Sequence, residues 1–90
     1  MPPSRKAKPR SLEHAALGAA IIQLRKEAGL SQEALSHAAE IHPTHVGGIE
    51  RGVRNPSYAT LLRLAAALEI RLGTLAALAD EIVERDGHSA

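Results

Sequence analysis

Apolar residues recur every three or four positions in five stretches of this chain. Leu12, Ala16, Leu17, Ala20, Ile21, Leu24 and Ala28 form one stripe and predict a helix over 12–28. Ser11 can cap it, Arg25, Lys26 and Glu27 occupy its last turns, and Gly29 stops it. Gly18 interrupts the stripe and marks a close helix contact. Leu30, Ala34, Leu35 and Ala38 predict a short second helix over 31–38, with Ser31 as N-cap and Gln32 and Glu33 in its first turn. Residues 39–42 are too few for anything but a turn. Pro43 then opens a third helix over 43–51, with Val46 and Ile49 inward and Gly52 as a left-handed stop. After a loop at 53–56, Ser57 caps a fourth helix over 57–69. Tyr58, Leu61, Leu62, Leu64, Ala65 and Leu68 make that helix apolar on more than one face, which predicts it as the central packing element. Leu72, Leu75, Leu78, Ala79 and Ile82 carry a fifth helix over 72–85, with a stripe suited to a core or a subunit contact.

The pair of short helices between residues 30 and 52 cannot bury its apolar faces alone and needs the other three as a scaffold. The default functional reading of such a unit is a helix-turn-helix that places its second helix in the DNA major groove.

Ninety residues allow one domain, which buries only about 60% of its unfolded surface, so dimerisation would help its stability. Alanine and leucine dominate the apolar set, and Tyr58 is the sole aromatic residue, a composition that favours closely spaced helices. The chain has no cysteine, so no disulfide framework or cysteine zinc site is expected, and a reducing cytoplasm suits it. No apolar run approaches a membrane span, and the basic N-terminus is followed by no long apolar segment, so neither membrane insertion nor a signal peptide is expected.

The formal charge of +1 hides a polarity. Residues 1–10 hold Arg5, Lys6, Lys8 and Arg10 and no acid, whereas Asp80, Glu81, Glu84 and Asp86 face only Arg85 near the other end. With three prolines as well, residues 1–10 read as a disordered arm. It is either a solubilising tail or a segment that gains order along phosphates or in a minor groove. The organisation expected is this arm, a domain at 11–86, and a frayed end at 87–90.

Few residues suggest other chemistry. His42 and His45 stand three apart, a spacing that can bind metal, but no cysteine or convergent carboxylate accompanies them, so no metal is expected. His37 reads as a helix-surface residue. Nothing marks a nucleophile elbow, a phosphate loop or a paired-carboxylate site, and a helical bundle of this size has little room for a substrate pocket, so neither an enzyme nor a cofactor is expected.

Segments LRKEAGLSQEALSHAAEI, IERGVRNPSYATLLRLAAAL and IRLGTLAAL, in this order and spacing, resemble the lambda-repressor-like (Xre/Cro-type) DNA-binding domain over about residues 17–78. The resemblance implies an all-α, five-helix bundle with the helix-turn-helix at helices two and three. It implies that His42, Thr44, His45 and Gly48 stand at base-reading positions, with Pro43 among them at the leading end of the recognition helix. Ser31, Gln32, Arg51, Arg54 and Asn55 would hold the DNA backbone, and Arg5, Lys6, Lys8 and Arg10 would form the arm that reaches phosphates or the minor groove. Arg25 and Glu50 match a pair that ties the first helix to the recognition helix.

The chain departs from that pattern at four places. Glu40 stands where the tight turn usually has glycine, and Glu69 where the fourth helix usually ends in glycine. Arg71 replaces the usual capping residue before the fifth helix, which would then start late or loosely. Gly47 and Gly48 lie inside the recognition helix, each costing about 1 kcal/mol relative to alanine. Either they let the helix backbone approach DNA closely, leaving specificity to Thr44, His45 and the arm, or they mark weakened specificity.

The function implied is a sequence-specific, double-stranded DNA-binding transcriptional regulator, acting as a homodimer on a palindromic operator. Leu72, Leu75, Leu78 and Ile82 are the expected dimer contact. Small stand-alone repressors and restriction–modification controller proteins share this plan. Two other readings stand beside it: an antitoxin with a toxin bound by one of the charged ends, or a protein-interaction module that kept the fold with weak DNA binding, Gly47 and Gly48 being the trace of that loss.

Overall fold

A computed structural model describes residues 7–87 as five helices joined by short turns, with no strand among those residues. They are α1 (Leu12–Glu27), α2 (Gln32–Ala39), α3 (Pro43–Glu50), α4 (Tyr58–Ala67) and α5 (Leu72–Gly87). The arm residues Arg5 and Lys6, and the last three residues of the expected frayed end, lie outside the described residues.

Local rules start and stop these helices. The hydroxyls of Ser11, Ser31 and Ser57 each accept the backbone N–H three residues on, at 3.0, 3.0 and 3.1 Å. Each satisfies one of the donors that a helix N-terminus leaves free. Left-handed residues close the other ends. Gly29 (φ +75°) and Gly52 (φ +78°) do so as expected, and Glu40 (φ 59°) and Glu69 (φ 60°) adopt the same conformation with a side chain. At both glutamates the following residue completes a paired hydrogen-bond closure: Ile41 N–H to Ser36 O at 2.9 Å and Ile70 N–H to Ala65 O at 3.0 Å. The half-buried Ile41 and Ile70 then pack on the core, which holds the strained residue before each of them. α5 begins at Leu72 despite lacking a serine-type cap, because Thr74 N–H bonds Arg71 O at 3.0 Å. The expected late start does not occur.

Ile21, Leu35, Val46, Ile49, Leu64, Leu68, Leu75 and Ile82 are the large side chains of the core. Burial of each is worth about 1.5–3 kcal/mol. α1 packs on both α5 and α3, while α4 packs on α2 and α5. The most extensive contact is that of α1 along α5, and α4 is not the central packing element. α4 is apolar on two faces but buries only one: Tyr58 is 70% and Leu62 42% exposed. α2 also turns differently from expectation. Ala34 and Ala38 are exposed, and Ser36 and Ala39 are buried beside Leu35. Burial of Ser36 is tolerated because its hydroxyl donates to Gln32 O at 2.8 Å.

Gly18 makes the contact that positions the helix pair. A Cβ there would overlap Glu50 O and stand 2.6 Å from Ile49 O, both backbone atoms at the end of α3. Only hydrogen lets α1 and α3 meet this closely.

Candidate nucleic-acid interface

α3 presents its N-terminal end outward. His42, Pro43 and Thr44 are exposed and His45 is half-buried, whereas Val46 and Ile49 enter the core. His42 is the N-cap: its Nδ1 accepts Thr44 N–H at 3.1 Å. With Nδ1 accepting, the neutral ring carries its proton on Nε2, so the exposed edge of His42 is a donor. His42 thus has a structural duty that its expected base-reading role did not include.

The other end of α3 is tied to α1 and α2 through Glu50. Its buried carboxylate receives Arg25 Nε at 2.7 Å, Arg25 Nη2 at 3.2 Å and Gln32 Nε2 at 2.8 Å. Arg25 Nη1 also donates to Leu30 O at 3.1 Å, in the turn that leads into α2. The Glu50 side chain is 3% exposed, so the charge survives burial only because an opposite charge and a third N–H meet it. Such a paired group contributes little net stability compared with apolar residues. It does join the end of α3 to α1, to α2 and to the turn that leads into α2. Gln32, expected on a phosphate, spends one amide hydrogen on Glu50 and keeps the other.

Past α3 the chain turns back on the start of α1. Arg10 N–H donates to Gly52 O at 2.8 Å. A Cβ on Gly52 would stand 3.0 Å from Ala15 Cα and 3.1 Å from Pro9 Cβ. Gly52 is thus required by both its positive φ and its crowding. Arg10, Arg51 and Arg54 all leave the backbone within two residues of that hydrogen bond, and all three are exposed. Lys8 precedes them, also exposed. This brings the described part of the basic arm beside the expected backbone-holding residues.

Asn55 has a partner that periodicity did not single out. His14 Nε2 bonds Asn55 Oδ1 at 3.1 Å, and His14 Nδ1 bonds the Ser11 hydroxyl at 2.7 Å. An amide oxygen only accepts, so His14 Nε2 carries the proton and this bond uses neither hydrogen of the Asn55 NH2. The only signal for this in the sequence is a polar residue three positions after an N-cap serine, which has no unique reading.

Gly47 and Gly48 occupy different settings. Gly47 faces Arg51 Nη1 at 3.2 Å and Gln32 Oε1 at 3.5 Å from its would-be Cβ, both ends of flexible side chains. Gly48 is buried beneath the stem of Arg54. It is therefore not an open base-reading position, because a loop side chain already lies over it.

Two of the four expected dimer residues are also placed elsewhere. Leu75 (0% exposed) and Ile82 (3%) point into the chain's own core. A sixteen-residue helix lying along α1 must turn one stripe inward, and these two form it. Leu72 and Leu78 are half-buried. Among the described residues, no group of three or more His, Asp or Glu could hold a metal ion, and no helix is long and apolar enough to cross a membrane.

Comparison with known proteins bears on the family and the fold. The Helix-turn-helix (HTH_3) family model matches residues 21–81. An uncharacterized HTH-type transcriptional regulator, y4dJ of Sinorhizobium fredii, is 35% identical over 65 residues, covering 72% of this chain and 84% of that protein. The restriction-modification controller protein C.AhdI of Aeromonas hydrophila superposes with a TM-score of 0.71 at 38% identity, covering 72% of this chain and 98% of that one. The clp gene regulator ClgR of Corynebacterium glutamicum superposes with a TM-score of 0.84 at 25% identity, covering 90% and 86%.

Proposed function

The chain belongs to the helix-turn-helix family HTH_3, and from that premise we propose that it is a DNA-binding transcriptional regulator that reads a palindromic operator as a homodimer. Its relatives are HTH regulators, among them a restriction-modification controller protein. In this reading α3 lies in the major groove with Thr44, His45 and the Nε2–H of His42 toward base edges. Ser31, Gln32, Arg51 and Asn55 hold the phosphates on either side, and the cations of the arm, Arg5, Lys6, Lys8 and Arg10, add phosphate contacts. The observation that carries it is the combination of an outward helix end with flanking donors left free. Gln32 retains one amide hydrogen, the exposed Asn55 spends only its Oδ1 on His14, and three arginine stems leave from around Gly52.

One such helix end covers only a few base pairs, so a symmetric dimer with half-sites about 34 Å apart supplies the rest of the affinity. Leu72 and Leu78 remain candidates for the contact between copies; Leu75 and Ile82 do not.

Titrating duplex DNA binding against salt tests the reading. For a groove binder held by phosphates, log K falls linearly with log salt, by about 0.9 for each phosphate neutralised. A chain that binds no duplex even at low salt would sink the proposal. Selection from random duplexes should return inverted repeats, and single half-sites in their place would refute the dimer.

A further inference from the structure

Gly48 stands one helical turn beyond Thr44, on the same face of α3. Thr44 is exposed, yet Gly48 is buried. Its cover is Arg54. A Cβ built on Gly48 would overlap Arg54 Cγ, and would lie 3.3 Å from Arg54 Nε and 3.4 Å from Cδ. The return of the loop is anchored, since Val53 N–H and Arg54 N–H both donate to Gly48 O, at 3.0 and 3.2 Å. The Arg54 side chain thus fills the volume that a side chain at position 48 would occupy, and its guanidinium begins there.

We infer that Arg54 is a specificity-determining residue that reads guanine from the face of α3, in place of a side chain at position 48. This rests on the DNA-binding reading above. A guanidinium is a rigid planar fork matched to the O6 and N7 acceptors on the guanine major-groove edge. A loop arginine serving only a phosphate has no need to lie along the recognition helix, nor for a glycine beneath its stem. Gly48 is then the vacancy that admits Arg54, and the row of readers on α3 continues from Thr44 to Arg54 across it.

The test compares the intact chain with Arg54→Lys, Arg54→Ala and Gly48→Ala, each first checked for a cooperative melt. Each is selected against random duplexes, then measured at one salt concentration on the best duplex and on copies of it with each guanine replaced. The intact chain should prefer guanine at one position of each half-site by about tenfold or more. Arg54→Lys keeps the charge, so it should keep the salt slope while losing most of that preference. Gly48→Ala keeps Arg54 but pushes its stem aside, and should lose preference at the same position. Arg54→Lys retaining the full guanine preference would overturn the inference. So would Arg54→Ala weakening all duplexes equally, or the lost preference being for a base other than guanine. An intact chain that binds no duplex overturns the DNA-binding reading as well. Uniform weakening in a chain that does bind overturns only the role given to Arg54.

Discussion

Replacing Gly18 with alanine is the most direct probe of how α1 and α3 are held. In a helix interior alanine is better than glycine by about 1 kcal/mol, so helix propensity alone predicts a more stable protein. The packing predicts the reverse. The new Cβ would overlap Glu50 O, stand 2.6 Å from Ile49 O and 2.7 Å from Glu50 C. All three are backbone atoms, so no rotamer change relieves them. Reaching an ordinary separation of about 3.5 Å requires the helices to part by about 1 Å, a gap that forfeits a quarter to a half of each contact's attraction. Overpacking of this kind costs about 1–3 kcal/mol and occasionally more. Only the upper part of that range survives the propensity gain, and backbone-to-backbone overlap belongs there. A net loss of about 2 kcal/mol lowers Tm by roughly 8–16 °C in a domain of this size. Thermal unfolding followed by circular dichroism measures it. Gly47→Ala is the control, because its Cβ meets only the ends of Arg51 and Gln32, so propensity should win by up to about 1 kcal/mol. A Gly18→Ala protein that melts at or above the parent temperature would refute the close approach of α1 and α3.

Three further outcomes follow from the same geometry. Glu40→Gly and Glu69→Gly should each stabilise the fold by about 1 kcal/mol, since glycine adopts φ near +60° without the Cβ clash; denaturant titration with unchanged binding is the check, and a loss of stability would contradict it. Arg25→Ala should cost about 3–5 kcal/mol by stranding the buried Glu50 carboxylate, whereas the double change Arg25→Met, Glu50→Leu should recover most of that stability without restoring DNA affinity. If the double change binds DNA normally, the pair does not set the position of α3. Leu75→Ala should cost about 2–5 kcal/mol, and equilibrium unfolding at several protein concentrations should show the same loss at each. A loss that varied with concentration would return Leu75 to an interface between copies.

Much of this molecule follows from rules that act within five residues. Serine caps at 11, 31 and 57, proline at the start of α3, glycine stops at 29 and 52, and a three- to four-residue apolar period were enough to place five helices to within one or two residues. The order of motifs then named the fold, and the Arg25–Glu50 pair followed from it. The limit was reached wherever a helix had two faces to offer. Periodicity marks a stripe without saying what lies opposite it, so α4 was expected at the centre and Ala34 and Ala38 inside. Tertiary packing instead made the contact of α1 along α5 the most extensive and buried Ser36, whose hydroxyl found a carbonyl one turn back. It also drew Leu75 and Ile82 inward.

The interface divides in the same way. Exposure of Thr44 and the capping role of Ser31 are consequences of local structure. The bond from His14 to Asn55 spans 41 residues, and the cover of Gly48 by Arg54 depends on a loop folding back over a helix. No period encodes such contacts, because they exist only once separate elements share a surface. Sequence alone therefore determined where the helices lie and which family they compose. Tertiary structure alone decided which side chains are spent on holding α3 in place and which remain free to meet DNA.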